Sequence, residues 1–104
     1  MLLISMIIKT ASGSRYEIDD HGICRKFDIK GDLIDAFKVF KLKGVHKDVH
    51  NFSEAIEAPD CEPEVGMRLY AAGLDGWWLS TEIVEITSEV AWPPRRFRDA
   101  SNGE

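Results

Sequence analysis

Met67-Arg68-Leu69-Tyr70-Ala71-Ala72, then Gly73-Leu74-Asp75-Gly76, then Trp77-Trp78-Leu79-Ser80-Thr81: two extended segments stand either side of a turn. Asp75-Gly76 is the strongest short hairpin signal in the chain, because Asp-Gly readily takes the positive φ of tight hairpin turns. The same punctuation recurs upstream. Ser12-Gly13 separates Ile7–Thr10 from Arg15–Asp19, Asp19-Asp20-His21-Gly22 releases Ile23–Ile29, and Lys30-Gly31-Asp32 closes that segment. Glu82-Ile83-Val84-Glu85-Ile86 is a last strand. Short strands with turns at such intervals predict an antiparallel meander.

The stretch Leu33–Lys43 has two readings. Leu33, Ala36, Phe37 and Phe40 match the i, i+3, i+4, i+7 template of a helix, with Asp32 as its cap. Against that, Phe37-Lys38-Val39 and Phe40-Lys41-Leu42 are two alternating runs whose phase flips once, as a β-bulge would flip it. Strand is the preferred reading. Asn51–Ile56 predicts a short helix capped by Asn51, with Glu54 completing an approximate capping box. Pro59 and Pro63 bracket an irregular loop.

The fold class that follows is mainly β with one short helix, a small antiparallel β-barrel or rolled meander of about six strands, since strands this short must protect their edges. Residues 1–92 form the expected β-rich domain and 93–104 a mobile basic and polar tail, marked by Pro93-Pro94. At 104 residues the chain buries roughly 65% of its unfolded surface, enough for one core. No apolar run nears the ~20 residues that span a bilayer, so no membrane partner is expected. Met1–Ile8 lacks the basic start of a signal peptide and reads as a buried first strand, with Met6 as an alternative start. Cys24 and Cys61 are then expected as reduced thiols in a cytoplasmic protein.

Catalytic patterns are weak. No glycine-rich phosphate cradle occurs, so no cofactor is expected, and Ser12-Gly13-Ser14 lacks the glycine that precedes a nucleophile elbow. His46 and His50 have the spacing that lets two imidazoles on one helical face share a metal, yet Lys47 stands where a zinc peptidase has its glutamate. Two solvated surface histidines, and no metal, is the plainer reading. The carboxylate pairs Asp19/Asp20, Glu62/Glu64 and Glu82/Glu85 fall in turns or on a wet strand face, where nothing raises a pKa for acid–base work. Cys24 has no histidine partner in view. The expectation is a protein that is not an enzyme.

Net charge is -5, but it is segregated: residues 23–47 hold seven basic side chains, while 48–92 hold ten acidic ones and only Arg68. Such asymmetry steers encounter with a partner or with another copy of the chain. Two surfaces follow. A nucleic acid would use the basic segment 25–47, chiefly Lys38, Lys41 and Lys43, together with Arg95, Arg96 and Arg98 in the tail, although an acidic protein does not favour that partner. A protein partner would use Trp77-Trp78 with Tyr70 and Arg68 beside them. Adjacent strand residues face opposite ways, and Trp77 shares a face with Leu79. Trp77 is therefore expected inside and Trp78 outside, as the anchor.

Ile7-Ile8-Lys9-Thr10-Ala11-Ser12-Gly13-Ser14-Arg15-Tyr16-Glu17-Ile18 and Asp75-Gly76-Trp77-Trp78-Leu79-Ser80-Thr81-Glu82-Ile83-Val84-Glu85-Ile86 resemble small accessory proteins of bacteriophages that infect actinobacteria. The resemblance covers about the first 20 residues and residues 63–86. It implies a protein that binds and disturbs a host protein, and it carries over no catalytic residue.

Overall fold

The computed structural model describes residues 4–88. Seven strands and one helix follow in the order β1 (Ile4–Thr10), β2 (Arg15–Asp19), β3 (Ile23–Phe27), β4 (Leu33–Lys38), β5 (Lys41–Val45), α1 (Phe52–Glu57), β6 (Arg68–Ala72) and β7 (Trp77–Ser88). They form one antiparallel sheet, ordered β4-β3-β2-β1-β7-β6-β5, curled into a half-barrel. The expected mainly β meander with one short helix is what the chain adopts. Two boundaries differ from the expectation. Leu33–Lys43 makes two strands, whereas Trp77–Thr81 and Glu82–Ile86 merge into one.

The phase flip in Leu33–Lys43 closes the roll. Phe37 and Val39 point inward, Phe40 is 55% exposed, and Leu42 is inward again. At that corner the Val39 N–H donates to the Gly22 carbonyl beside β3, and the next N–H, of Phe40, donates to the Ala72 carbonyl of β6. The chain thus leaves one end of the sheet and joins the other in two residues. The change of phase is a transfer between sheet ends, not a bulge within one ladder.

β7 spans both halves of the roll by changing face twice. Leu79 pairs with Tyr70 but Glu82 with Arg68, and Ile83 pairs with Thr10 but Glu85 with Lys9. Each slip adds one residue on β7 and bends it. Ser80, Ile83 and Ile86 all reach the inner side in consequence, alongside Met6, Ile8, Tyr16, Ile18, Cys24, Leu69 and Ala71. A second cluster, Val45, Ala55, Tyr70 and Ala72, lies on the outer side under α1. β6 is therefore buried on both faces, which accounts for its unbroken apolar run.

Gly73 permits the closure. A Cβ there would lie 2.0 Å from the Lys38 carbonyl oxygen, which is backbone and cannot rotate away. Gly76, in the same loop, would meet only Phe37, at 3.7 Å, an ordinary contact. Gly73→Ala is expected to lower stability by about 3 kcal/mol and Gly76→Ala by less than about 1 kcal/mol, read as urea midpoints at constant slope. Equal midpoints for the two variants would mean that this approach does not hold the roll shut. The loop is a four-residue turn with the Gly73 N–H donating to the Gly76 carbonyl. Neither Asp75 nor Gly76 takes a positive φ, so the hairpin forms without the tight turn its Asp-Gly pair suggested.

Candidate functional site

The two tryptophans face the opposite way to the expectation. Trp78 faces the inner side and is half-buried against the core, its ring 4.5 Å from that of Phe37 and 5.5 Å from that of Tyr16. Trp77 is 47% exposed and lies against Phe52 of α1, ring to ring at 4.3 Å. Trp77 and Leu79 do share a face, and it is the outer one. Leu79 is apolar because it packs under the helix, not because it faces the barrel interior.

α1 is seated by bonds that arrive from outside it. The Asn51 side chain accepts from the Glu54 N–H at 2.9 Å, as a cap should. Glu54 Oε1 accepts from the His50 N–H at 2.8 Å, so the reciprocal half of the capping box is displaced by one residue. The helix has no basic residue in its last turn. Lys43, only 2% exposed, supplies the missing donor: its Nζ lies 2.5 Å from the Ala58 carbonyl oxygen and 3.3 Å from that of Ile56, with the Tyr70 ring at 5.4 Å. Arg68 clamps the preceding loop, donating from Nε to the Ser80 carbonyl at 2.5 Å and from Nη1 to the Val49 carbonyl. Lys41 pairs with Asp60 beyond the helix and holds its carboxyl below the usual carboxylate range.

These fixings create one apolar surface where the β4–β5 corner, α1 and the β6–β7 loop meet. Leu74 is 94% exposed, Phe40 55%, Ile56 54% and Trp77 47%, around a shallow depression of ≈ 550 Å³ floored by Phe52 and Tyr70 and edged by Asp75. Asp75 is the one charged residue that lines it. Such a surface offers rigid aromatic and aliphatic anchors to another apolar group.

Of the four residues expected to bind protein, Trp77 alone belongs to this surface as an exposed side chain. Tyr70 is 5% exposed beneath α1, and the Arg68 guanidinium is spent on backbone carbonyls. Phe40, Ile56 and Leu74 were not singled out. Two of them carried a signal: Phe40 sits where the alternation breaks, and Leu74 is a large apolar residue in a turn.

The basic set is not brought together either. Lys38 is exposed on β4, Lys41 is paired with Asp60, and Lys43 is buried under the helix end. Arg95, Arg96 and Arg98 lie outside the described residues. His46 and His50 stand on a loop, so the helical geometry that would align them is missing; His46 Nδ1 accepts from the Asp48 N–H at 3.1 Å. Among the described residues no three His, Cys, Asp or Glu side chains cluster as metal ligands would.

Two groups with chemical potential are tied into the core. Burial pushes the Cys24 thiol far up, away from the reactive thiolate. Asp19, expected to be solvated in its turn, is fully buried. Its Oδ1 accepts from the N–H groups of His21 at 2.9 Å and Ile23 at 3.1 Å, and its Oδ2 from Arg25 Nη1 at 2.7 Å. Burial pulls its pKa up, but the guanidinium and the two amides outweigh that and hold the carboxyl below its ordinary value. It folds the turn between β2 and β3, where Gly22 takes φ 83°.

Compared with protein-family models, with curated proteins and with solved structures, the chain has no match.

Proposed function

We propose that this chain is a non-enzymatic protein-interaction module, a phage accessory protein that binds and modulates a host cytoplasmic protein through the Phe40–Ile56–Leu74–Trp77 surface. One observation carries the reading. Four large apolar side chains about half exposed or more share one depression, beside a helix whose start is capped by Asn51 and whose end is held by Lys43. Exposed apolar area of this kind is unfavourable in water and becomes favourable when a partner covers it. The helix beneath is tied at both ends, through Asn51 and Lys43, and its preceding loop through Arg68. The resemblance of the first 20 residues and of residues 63–86 to actinobacteriophage accessory proteins supplies the class of partner. No helix among the described residues is long and apolar enough to cross a membrane. The nucleic-acid reading loses support because Lys43 is spent on the helix end and Lys41 on Asp60.

Capture from a host lysate followed by titration of the captured protein tests this. Leu74→Asp and Trp77→Ala should each weaken binding about 30-fold, the loss of about 2 kcal/mol of a central contact. Both should leave the circular dichroism spectrum unchanged, since Leu74 is 94% exposed. Unaltered affinity in both variants would remove this surface as the site.

A further inference from the structure

We propose that, when no host protein is bound, the Phe40–Ile56–Leu74–Trp77 face is covered by the same face of a second copy of the chain, in a two-fold dimer whose register is set by Lys38 and Asp75. This rests on the face being a docking surface, and it names the partner that covers it first.

The charges on the rim carry the choice of partner. Asp75 stands on the edge of the depression, in the loop that presents Leu74. Lys38 is exposed two residues before Phe40, and the fully buried Val39 between them turns both to the outer side. The Lys38 carbonyl oxygen lies against Gly73, which brings this end of β4 to the β6–β7 loop. Other charges nearby are committed elsewhere. Lys41 is paired with Asp60, and Lys43 is buried on the Ala58 carbonyl. Glu54 and Glu57 line a separate groove beside Val45 and Cys61. Among the described residues neither Lys38 nor Asp75 has an ion-pair partner.

The face thus has an apolar centre and, on its rim, one cation and one carboxylate. A two-fold axis in the plane of the face, bisecting the line between those two charges, sets each Lys38 against Asp75 of the other copy while the apolar centres meet. Such a contact is isologous and closes at two chains. A different protein would need a base and an acid of its own in matching places, whereas a second copy supplies both by symmetry. Opposite charges at the two contacts also fix a single register. The four side chains expose roughly 500 Å² in each copy, so face-to-face contact buries about 1,000 Å², the lower bound for a specific interface. A dimer of that size exchanges readily, which leaves the face accessible to a host protein.

Sedimentation equilibrium of the full chain tests the proposal with Lys38→Asp, Asp75→Lys, the two combined in one chain, and Leu74→Asp. All three positions are exposed, and circular dichroism checks that each variant keeps the fold. The wild type should dimerise, and Leu74→Asp should do so at least ~30-fold more weakly. Each single charge variant should lose at least ~10-fold, because like charges then face each other at both contacts. The combined variant, with its charges exchanged, should recover the wild-type constant. An equimolar mixture of Lys38→Asp and Asp75→Lys chains should form unlike dimers more tightly than either variant forms like ones, since acid meets base at both contacts only in the unlike pair. A monomeric wild type overturns the inference, and so does a mixture with no preference for unlike pairs. A dimer lost with Leu74→Asp but indifferent to every charge variant overturns it too, because another segment then covers the face. If the wild type is monomeric and Leu74→Asp still loses the host protein, the dimer fails and the host docking site stands. If the charge pattern holds and Leu74→Asp keeps the host protein, the dimer stands and host docking at this face fails.

Discussion

Trp78→Ala should lower the stability of the fold by about 3 kcal/mol, whereas Trp77→Ala should cost less than about 1 kcal/mol. The two residues are neighbours in sequence and alike in chemistry, so only their environments differ. Trp78 is half-buried against the inner core and packs on the rings of Phe37 and Tyr16, so alanine would strip two aromatic contacts from the core edge. Trp77 is 47% exposed and rests on Phe52, so its loss removes one stack at the surface. Urea midpoints at unchanged slope would measure both, and for a domain of this size each kcal/mol also moves the melting temperature by about 4–8 °C. The reverse order of costs would put Trp77 in the core and dismantle the surface on which the proposed function stands. The contrast also separates roles in binding assays. A loss of partner on Trp78→Ala reports unfolding, and a loss on Trp77→Ala reports contact.

Asp19→Ala should cost about 2 kcal/mol near neutral pH, since it removes a fully buried acceptor from the Arg25 guanidinium and the amides of His21 and Ile23 in a partly buried turn. Asp19→Asn, which can still accept from the amides, should cost less. The difference between wild type and Asp19→Ala depends on pH in a definite direction. The folded state holds this carboxyl below its ordinary value, which an unfolded chain restores to about 3.9. Its contribution is therefore complete above the unfolded value and lost as pH falls through the folded one. Wild type and Asp19→Ala should have well-separated urea midpoints at neutral pH that converge in acid. Asp60, the other depressed carboxyl, is 68% exposed, and its pairing with Lys41 is a surface one that adds little to this dependence. Midpoints that stay equally far apart down to acid pH would mean that Asp19 is not ionised in the fold.

Local chemistry carried much of the way from sequence to structure. The turns at Ser12-Gly13, Asp19–Gly22 and Lys30–Asp32, the strands between them and the cap at Asn51 were all legible, because each depends on residues within a few positions of one another. The break in alternation at Val39-Phe40 was legible as well, but its meaning was not. A bulge and a transfer between sheet ends have the same local pattern, and they differ only in which distant strand receives the next N–H. The failure at Trp77-Trp78 has the same origin. Alternation says that two neighbours face apart, and it cannot say which face is covered when α1, twenty residues upstream, roofs the outer one. Tyr70, Arg68 and Lys43 look like surface residues by type, and each is taken inward by a partner far along the chain: α1, the Val49 carbonyl and the Ala58 carbonyl.

What the order of amino acids determined by itself was the class of fold, the places where the chain turns and the helix start. Those follow from backbone sterics and side chain to backbone bonds that act over a few residues. Which tryptophan is exposed, that Phe40, Ile56 and Leu74 join it, and that the basic residues do not gather were decided only when the sheet rolled. Burial on the second face of a strand depends on what packs over it, and that is a property of the whole chain in three dimensions.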